Sequence, residues 1–349
     1  MSADDAKPLA LVTGATGFLG AALVERLLSR GEQRVVALVR SPGKQAVLDA
    51  VAARHPGAPL ELRRGDISTV DAAARATAGA DVVYHLAAAM GGAPADLFLS
   101  TVVASKRMLD AIVASGRKPK IVLVSSFGVY GVAEMGRGAV LDERAPLETR
   151  PAKRDPYSQA KLRQETLFRE VTAKHGLPLV VLRPGVIYGP RGSALSSRIG
   201  LALGPVFLSL GGDNVLPLSY VDNCAEAIAV AGADPRAVGE TYNVHDDDLP
   251  TCREYLRAYE ARVKRLRKLP VPYPLLAVGS TLVERYHAWS KGQLPAVFTP
   301  YKAATSWGGN RFDNSKIKSL GARQIVSTDE AMRRTFDWLA SRETSAATS

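Results

Sequence analysis

Cysteine and histidine are scarce in this chain of 349 residues. The two cysteines, Cys224 and Cys252, are too few for a disulfide framework and belong to no C-x-x-C pair, which favours a reduced, cytoplasmic compartment. The five histidines are scattered without the spacing of metal ligands, so no metal site is predicted. A basic, apolar leader is also missing, because the first residues are acidic and run directly into an apolar strand.

Aromatic residues are few as well, at 6%, and no nucleic-acid-binding motif is present. The net charge of +11 is therefore not assigned to a nucleic-acid partner. The apolar stretch at 269–283 is too short to span a bilayer and contains three prolines, which excludes a transmembrane helix there. With 46% hydrophobic and 23% charged residues, the composition is that of a globular protein.

Much of the basic charge lies in one stretch, REYLRAYEARVKRLRKLP (253–270). One interpretation is a solvated helix face. The other takes the basic residues 262–268 together with the apolar residues that follow them, and predicts that 262–283 contacts an anionic membrane surface. The sequence leaves both interpretations open.

The first half of the sequence alternates apolar, β-branched runs with amphipathic patterns. Strands are predicted at 9–14, 34–40, 60–66, 81–89, 120–126 and 177–185, and helices at 18–31, 44–55, 69–80, 96–115 and 157–175. Continuous apolar strands separated by helices indicate a parallel sheet that is covered on both faces and joined by right-handed crossovers. The predicted fold class is α/β, a doubly wound parallel sheet of the Rossmann type.

A glycine-rich stretch, TGATGFLG (13–20), follows the first predicted strand and opens the first predicted helix. Gly14 permits the tight turn, Gly17 lets a pyrophosphate approach the backbone, and Gly20 lets the helix pack closely against the strand. The helix N-terminus adds free N–H groups and the positive end of its dipole, so a dinucleotide is predicted to bind here. The other predicted contacts of this turn are Thr16, Phe18 and Leu19.

The ends of the second and third strands bear on the form of the dinucleotide. Arg40 and Ser41, in ALVRSPGK (37–44), stand where NAD-binding proteins usually carry an acidic residue. A guanidinium can bind a 2′-phosphate through two hydrogen bonds, so NADP(H) is favoured over NAD(H); an ordinary surface arginine is the alternative. Asp66 and Ile67 are predicted to meet the adenine, and the alternative for Asp66 is a helix cap.

The alternation of strands and helices ends after RPGVIYGPRG (183–192), where prolines and glycines become dense. The elements predicted beyond this point are short and irregular. We predict a dinucleotide-binding domain at 1–185, joined by part of 218–246, and a smaller mixed α/β substrate-binding domain formed mainly by 186–349.

Tyr157 and Lys161 are four residues apart in DPYSQAKLRQE (155–165), so on a helix their side chains share one face. This spacing occurs by chance in many helices, and its meaning depends on the rest of the chain. The other stretches that bear on it are GDIS (65–68), VSSFGVYG (124–131), RPGVIYGP (183–190), LSYVDNCAEAI (218–228) and RFDNSKIKSLG (311–321).

In their order and spacing, these stretches resemble the extended short-chain dehydrogenase/reductases, the NAD-dependent epimerase/dehydratase superfamily, over nearly the whole chain. The resemblance implies an enzyme that works with a serine, a tyrosine and a lysine: Ser126, with Ser125 as the alternative, Tyr157 and Lys161. It also implies a homodimer formed through helices of the large domain. The further cofactor contacts that it implies are Ala87, Ala88, Tyr157, Lys161, Pro184 and Gly185.

The implied pair has a physical rationale. A phenol with a pKa near 10 is a poor acid or base at neutral pH. A lysine ammonium one turn away, beside a positive nicotinamide ring, is expected to lower the pKa of Tyr157, which then exchanges a proton with the substrate oxygen as hydride moves. One departure from the family lies in TVVAS (101–105), where Thr101 replaces an asparagine that helps a proton relay reach the lysine.

The substrate is indicated mainly by resemblance. VPYPLLAVGSTLVERYHAW (271–289) resembles the 3β-hydroxysteroid dehydrogenase-like branch, which implies a bulky, apolar secondary alcohol or ketone as the small-molecule substrate. The alternative is a nucleotide-sugar epimerase or dehydratase with retained NAD, for which Arg191, Arg198 and Arg311 are candidate diphosphate ligands. Phe127 and Gly128 stand where dehydratases carry acids, which argues against dehydration. A cofactor-binding regulator without turnover is the lesser alternative.

Overall fold

Parallel strands form the central sheet of the computed structural model, which describes residues 6–192, 195–289 and 299–347. The strands are β1 (Leu9–Thr13), β2 (Arg34–Val39), β3 (Leu60–Arg64), β4 (Val82–His85), β5 (Lys120–Val124), β6 (Val140–Leu141), β7 (Leu179–Pro184), β8 (Val186–Tyr188), β9 (Gly200–Leu203), β10 (Val206–Ser209), β11 (Leu218–Tyr220), β12 (Thr241–Val244), β13 (Lys268–Pro270) and β14 (Arg311–Phe312). Seven of them pair in the order β3-β2-β1-β4-β5-β7-β12, all parallel. The chain reverses direction across this sheet between β1 and β4, where ligands of such sheets usually bind.

Helices cover both faces of the sheet. They are α1 (Phe18–Arg30), α2 (Ala46–Arg54), α3 (Val70–Thr77), α4 (Pro94–Phe98), α5 (Ala104–Ala114), α6 (Pro156–His175), α7 (Val221–Ala233), α8 (Cys252–Arg262), α9 (Tyr273–Trp289), α10 (Pro300–Trp307), α11 (Ser315–Lys318) and α12 (Thr328–Ala347). One apolar cluster packs α1, α2 and α7 on one face, and a second packs α3, α5 and α6 on the other. The predicted doubly wound α/β fold is confirmed.

The residues within one strand divide between these two clusters, as the pleat requires. Val12 of β1 belongs to the first cluster and Leu11 to the second, and both are fully buried. The predicted strands and helices are present, but several ends differ. The fourth strand ends at His85 rather than at residue 89, and the predicted helix 96–115 is interrupted at Leu99–Val103 by a turn of π-helix.

The prediction of short, irregular elements beyond residue 192 holds for the strands, which have two to four residues each, and is wrong for most of the helices. α9 has 17 residues and α12 has 20. The prolines that suggested irregularity stand in the first turns of helices, where Pro274 and Pro300 leave no hydrogen bond unmade. A small sheet, β13-β10-β9, packs with α9 and α10 around Leu210, Leu276 and Trp307.

Cys224 and Cys252 are both buried and free. Among the described residues, no helix is long and apolar enough to cross a membrane.

Candidate active site

The glycine-rich turn between β1 and α1 has a shape that side chains would prevent. Gly14 adopts φ +72°, and a Cβ on it would lie 3.0 Å from the backbone nitrogen of Ala87. A Cβ on Gly20 would lie 2.1 Å from the carbonyl oxygen of Gly14. Gly17 precedes α1 and offers no side-chain cap to it, so no side chain at that position occupies the first N–H groups of the helix. The turn is therefore a cradle of backbone donors of the kind that binds a pyrophosphate.

Other predicted cofactor contacts gather around this cradle. Ala87 and Ala88 follow β4 after one intervening residue, and the backbone of Ala87 lies beside Gly14. The ring of Phe18 lies against Gly189 and Gly192, where Cβ atoms would come within 3.2 and 3.0 Å of it. Thr16 is in the turn itself, and Leu19 packs at the edge of the core.

Pro184 ends β7, and the backbone there packs tightly on a neighbouring loop. A Cβ on Gly185 would lie 2.3 Å from the carbonyl oxygen of Pro217. The same oxygen accepts a hydrogen bond from the backbone nitrogen of Val186 at 2.6 Å. Glycine at position 185 is therefore needed for this close approach, at the same edge of the sheet as the cradle.

The ends of β2 and β3 bring Arg40 and Asp66 together. Asp66 accepts hydrogen bonds from the backbone nitrogen and the hydroxyl of Ser68, at 3.0 and 2.8 Å. These bonds, with the nearby Arg40 guanidinium, hold the pKa of Asp66 below its ordinary value. Thr69, not Asp66, caps α3, so the interpretation of Asp66 as the helix cap is wrong.

Ser41 and Ile67, which follow Arg40 and Asp66 in the chain, have different surroundings. Ser41 begins a short 3₁₀ turn at Pro42–Lys44 and makes no side-chain capping bond there. Ile67 is 7% exposed and packs in the core, so its side chain offers little surface for the predicted adenine contact.

The two serines at the end of β5 have different surroundings. Ser125 is buried and donates to Glu165 at 2.6 Å. Ser126 starts a 3₁₀ turn, where its hydroxyl accepts from the backbone nitrogen of Gly128 at 3.0 Å, and it also interacts with the Tyr157 phenol. This geometry favours Ser126 over Ser125 as the partner of Tyr157.

In the protein without a cofactor, the pKa of Tyr157 is raised; the lowering predicted beside a bound, positive nicotinamide ring stays a prediction. Burial of the phenol is the largest cause, the Ser126 hydrogen bond opposes it, and the Asp155 carboxylate adds to it. The Lys161 ammonium instead donates to the carbonyl oxygen of Val124 at 2.7 Å and to Gln164 Oε1 at 2.5 Å. The lysine is thus oriented toward the interior, and the phenol keeps its proton at neutral pH.

A buried polar network continues from Lys161 into the protein. Gln164 Nε2 donates to Ser105 at 2.8 Å and lies 3.2 Å from His85 Nε2. His85 also contacts the hydroxyls of Ser105 and Thr13, at 2.9 and 2.8 Å. Burial, with a contribution from Lys161, lowers the pKa of His85 to about 3, so the imidazole is neutral. Gln164 was not predicted, although its position three residues after Lys161 puts it on the same helix face.

Thr101 lies in the π-helical turn and makes no hydrogen bond with Lys161. Its hydroxyl accepts from the backbone nitrogen of Ala89 at 3.1 Å. Its carbonyl oxygen is 3.4 Å from Gln164 Nε2. The side chain next to Lys161 in this chain is Gln164, and the threonine hydroxyl shapes the loop after β4.

Two arginines stand near the N-terminus of α6. Arg154 donates to the Tyr130 carbonyl oxygen at 3.0 Å, to Glu148 at 3.1 Å and to Ser158 at 3.3 Å. The guanidinium of Arg198 has no hydrogen bond or ion pair with any described residue. Its pKa is lowered by burial, and the nearby Arg154 contributes to that lowering. Arg191 and Arg311, the other candidates for a diphosphate site, are exposed.

Burial of Lys161 should destabilise the protein at low pH, and this cost in the free energy of unfolding should disappear as the pH rises. Burial lowers the pKa of Lys161 from 10.5 to about 7, so the unfolded chain binds more protons between these values. We expect a Lys161→Met variant to be most stable relative to wild type below about pH 7, and to lose that relative advantage as the pH rises toward about 10. Thermal denaturation of both proteins across this pH range measures the effect. A difference in Tm that is independent of pH would contradict it.

The doubly wound sheet, with a glycine-rich turn between β1 and α1, is the fold of an NAD(P)-dependent short-chain dehydrogenase/reductase. Residues 10–244 match the model of the NAD dependent epimerase/dehydratase family. The chain belongs to that family, as an extended short-chain dehydrogenase/reductase.

Relatives include both reductases and epimerases. The chain is 28% identical to a 2-alkyl-3-oxoalkanoate reductase of Shewanella oneidensis, over 93% of this chain and 84% of the relative. It is 28% identical to a 3 beta-hydroxysteroid dehydrogenase/Delta 5→4-isomerase of Mycobacterium tuberculosis, over 92% and 88%. The solved structure of UDP-glucuronic acid 4-epimerase from Bacillus cereus in complex with NAD has the same fold, with a TM-score of 0.70, 20% identity and coverage of 95% and 96%.

Proposed function

We propose that the chain is an NADP(H)-linked oxidoreductase that interconverts a secondary alcohol and a ketone. The observation that carries the proposal is that Ser126, at the carboxyl end of β5, lies against the first turn of α6, which holds Tyr157 and Lys161. The hydroxyls of Ser126 and Ser158 both lie beside Gly128. Ser126 and Tyr157 belong to the edge of the sheet that also holds the glycine-rich cradle. Two neighbouring hydroxyls can hold one substrate oxygen between them.

The residues at this edge fit a dinucleotide. The cradle of Gly14, Gly17 and Gly20 leaves room and backbone donors for its phosphates. The Lys161 ammonium has three donors, and two are used by Val124 and Gln164, so one remains for a ribose hydroxyl. When bound, the nicotinamide supplies or accepts the hydride.

The resting protonation of Tyr157 favours reduction. Because burial raises the pKa of the phenol, Tyr157 carries a proton at neutral pH and can give it to a ketone oxygen. Ser126 donates a hydrogen bond to the same oxygen and orients it. Lys161 positions the cofactor and, through its charge, offsets the negative charge left on the phenol oxygen.

Arg40 is the residue that we propose for the 2′-phosphate of NADPH. An Arg40→Ala variant should raise the Kd for NADPH by about 10–100-fold, the value of one or two charge-assisted hydrogen bonds, and leave the Kd for NADH within about 3-fold. Fluorescence titration of both nucleotides measures this. Arg117→Ala is the matched control, because Arg117 is exposed, is paired with Asp81 and stands at the opposite edge of the sheet. Equal losses for NADPH and NADH in Arg40→Ala would contradict the assignment.

The proposed substrate is a bulky ketone with a largely apolar body. Support comes from the relatives that are named as 2-alkyl-3-oxoalkanoate reductase and 3 beta-hydroxysteroid dehydrogenase. NADPH oxidation should be measured with a panel of 3-oxo acids, cyclic ketones and steroid ketones. Turnover with at least one apolar ketone is the expected result. Failure with the whole panel, together with turnover of a nucleotide sugar, would overturn the proposal.

A nucleotide-sugar epimerase is the second candidate, and Arg198 is the observation that favours it. A guanidinium without a partner in the described residues, close to Arg154, suits an anionic group such as a diphosphate. Native mass spectrometry of the purified protein separates the two functions. Tightly retained NAD would favour the epimerase, which returns its hydride internally. An empty protein that prefers NADPH favours the reductase.

A further inference from the structure

The outer face of α9 carries a stripe of exposed apolar side chains. Its members recur every three or four residues, so they lie along one side of the helix. They are Leu275 (63% exposed), Val278 (61%), Leu282 (61%), Tyr286 (49%) and Trp289 (77%). The opposite side of α9 is buried: Leu276 packs with α10 and the small sheet, and Ser280 is 1% exposed. The exposed stripe therefore takes no part in the core contacts that hold α9 in place.

Exposed apolar groups of this extent usually mark an interaction surface. Basic residues surround this one. The chain reaches α9 through the exposed Arg265, Arg267 and Lys268, with Leu269 54% exposed beside them. On the helix itself, the exposed Arg285 flanks the stripe. Apolar residues bordered by arginine and lysine, with tyrosine and tryptophan toward one end, match the layers of a bilayer surface.

A cavity of about 500 Å³ opens at the N-terminal foot of α9. Pro270, Pro272 and Tyr273 form its apolar wall. Its charged lining consists of four basic residues and one acidic residue: Arg137, Arg253, Arg257, Lys268 and Asp213. The cavity has an excess of positive charge and is open to solvent, which suits a phosphate group.

Salt bridges leave part of this charge unneutralised. Arg253 pairs with Asp213 at 2.6 Å, and Lys268 pairs with Glu260 outside the cavity lining. Among the described residues, no salt bridge involves Arg137 or Arg257. These two guanidinium groups are the ones that an incoming anion can engage most directly.

We propose that the outer face of α9 and the cavity at its foot form a docking surface for an anionic phospholipid bilayer. The apolar stripe enters the interfacial layer, and a lipid phosphate occupies the cavity. A second copy of the chain is a poorer occupant, because a symmetric contact would bring the same basic surface of each copy face to face. Since no described helix can span a membrane, the contact is peripheral.

The docking surface is linked to the candidate active site through α10. α10 packs on α9, and its Tyr301 hydroxyl hydrogen-bonds Glu148. Glu148 in turn holds Arg154 next to Ser158, one residue from Tyr157. Docking would bring the active-site cleft close to lipid, where an apolar ketone concentrates. This last consequence rests on the proposed function, whereas docking itself does not.

Vesicle flotation tests the docking without any need for turnover. Wild-type protein should float with vesicles that contain phosphatidylglycerol, float much less with phosphatidylcholine alone, and lose binding as salt is raised. A Leu275→Gln/Leu282→Gln/Trp289→Gln variant should bind anionic vesicles at least about 10-fold more weakly. The matched control is Val238→Gln/Ile325→Gln, at two exposed apolar positions elsewhere, 41% and 44% exposed, which should bind as wild type.

The cavity has its own variant pair. Arg137→Gln/Arg257→Gln should weaken binding to anionic vesicles by about 10-fold, whereas Arg144→Gln/Arg236→Gln, at two exposed and paired arginines, should have a much smaller effect. Inorganic phosphate as competitor distinguishes a free phosphate site from a headgroup site: release only by high salt supports the bilayer, and release by low phosphate points to a soluble anion.

Besides release by low phosphate, three outcomes would overturn the proposal. The first is wild-type protein that does not float with anionic vesicles. The second is an apolar variant that floats as well as wild type. The third is an apolar variant that converts a dimer to a monomer in light scattering, which would assign the stripe to a second copy. NADPH titration of each variant keeps the result separate from the proposed function, because none of the substituted residues belongs to the cofactor site.

Discussion

A Tyr157→Phe variant should lose turnover by about 10²–10⁴-fold and still bind NADPH with a Kd within about 3-fold of wild type. Burial raises the pKa of the phenol and keeps it protonated at neutral pH, so it is the proton donor in the proposed reaction. Phenylalanine removes that proton and leaves the ring in place. Steady-state NADPH oxidation and fluorescence titration measure the two quantities.

The matched control is Tyr259→Phe, which removes a hydroxyl from a buried ring in the core around α8. This variant should keep its turnover within about 3-fold of wild type, since it changes no group of the site. A Tyr157→Phe protein with normal turnover would contradict the proposed role. If the wild-type protein binds NADPH but turns over no substrate, and if the Tyr157→Phe variant has the same effect in cells as the wild type, the cofactor-binding regulator would be indicated instead.

A Glu165→Ala variant should lower the free energy of unfolding by about 3–5 kcal/mol, which is the cost of leaving a buried charge without its partner. Glu165 is buried on α6, one turn after Lys161. It accepts from Arg183 at 2.5 and 3.1 Å and from Ser125 at 2.6 Å. Arg183 is itself buried and stacks on the Tyr130 ring at 4.6 Å, so it cannot turn toward water. Urea denaturation measures the loss.

Glu170→Ala on the same helix is the control for that experiment. Glu170 faces solvent and pairs with Arg163 at 3.7 Å. Removing an exposed partner of this kind should change the free energy of unfolding by less than about 1 kcal/mol. A similar loss of unfolding free energy in the two variants would contradict the larger contribution expected from the buried Glu165–Arg183 pair.

The sequence predicted the structure correctly at positions where the local geometry accepts only one type of residue. The spacing of Gly14, Gly17 and Gly20 predicted a turn that the structure has, because a Cβ at Gly14 or Gly20 would collide with backbone. The apolar runs predicted the strands of the main sheet, because a strand that is buried on both faces is a nearly continuous run of apolar residues in the sequence.

It was less informative where tertiary contacts decide. Ser125 and Ser126 are adjacent and alike in sequence, and only the position of Glu165 opposite Ser125 separates them. The direction of the Lys161 ammonium depends on Gln164 and on the Val124 carbonyl group, neither of which belongs to the Tyr-x-x-x-Lys spacing. The pKa of Tyr157 without a cofactor is raised, mainly by burial of the phenol, and the lowering expected beside a bound nicotinamide ring stays a prediction. The cofactor roles of Arg40, Ala87, Ala88 and Pro184 remain predictions.

The buried network behind Lys161 closes one route for protons. Gln164, Ser105 and Thr13 do not titrate near neutrality, and His85 remains neutral. Lys161 itself, with a pKa of about 7, is the member of this network that can exchange a proton near neutrality. In the proposed reaction, a proton that Tyr157 gives away would be replaced from Lys161 or from solvent on the Ser126 side. Where solvent is the source, a bulky product in the site would have to depart before the phenol is reloaded.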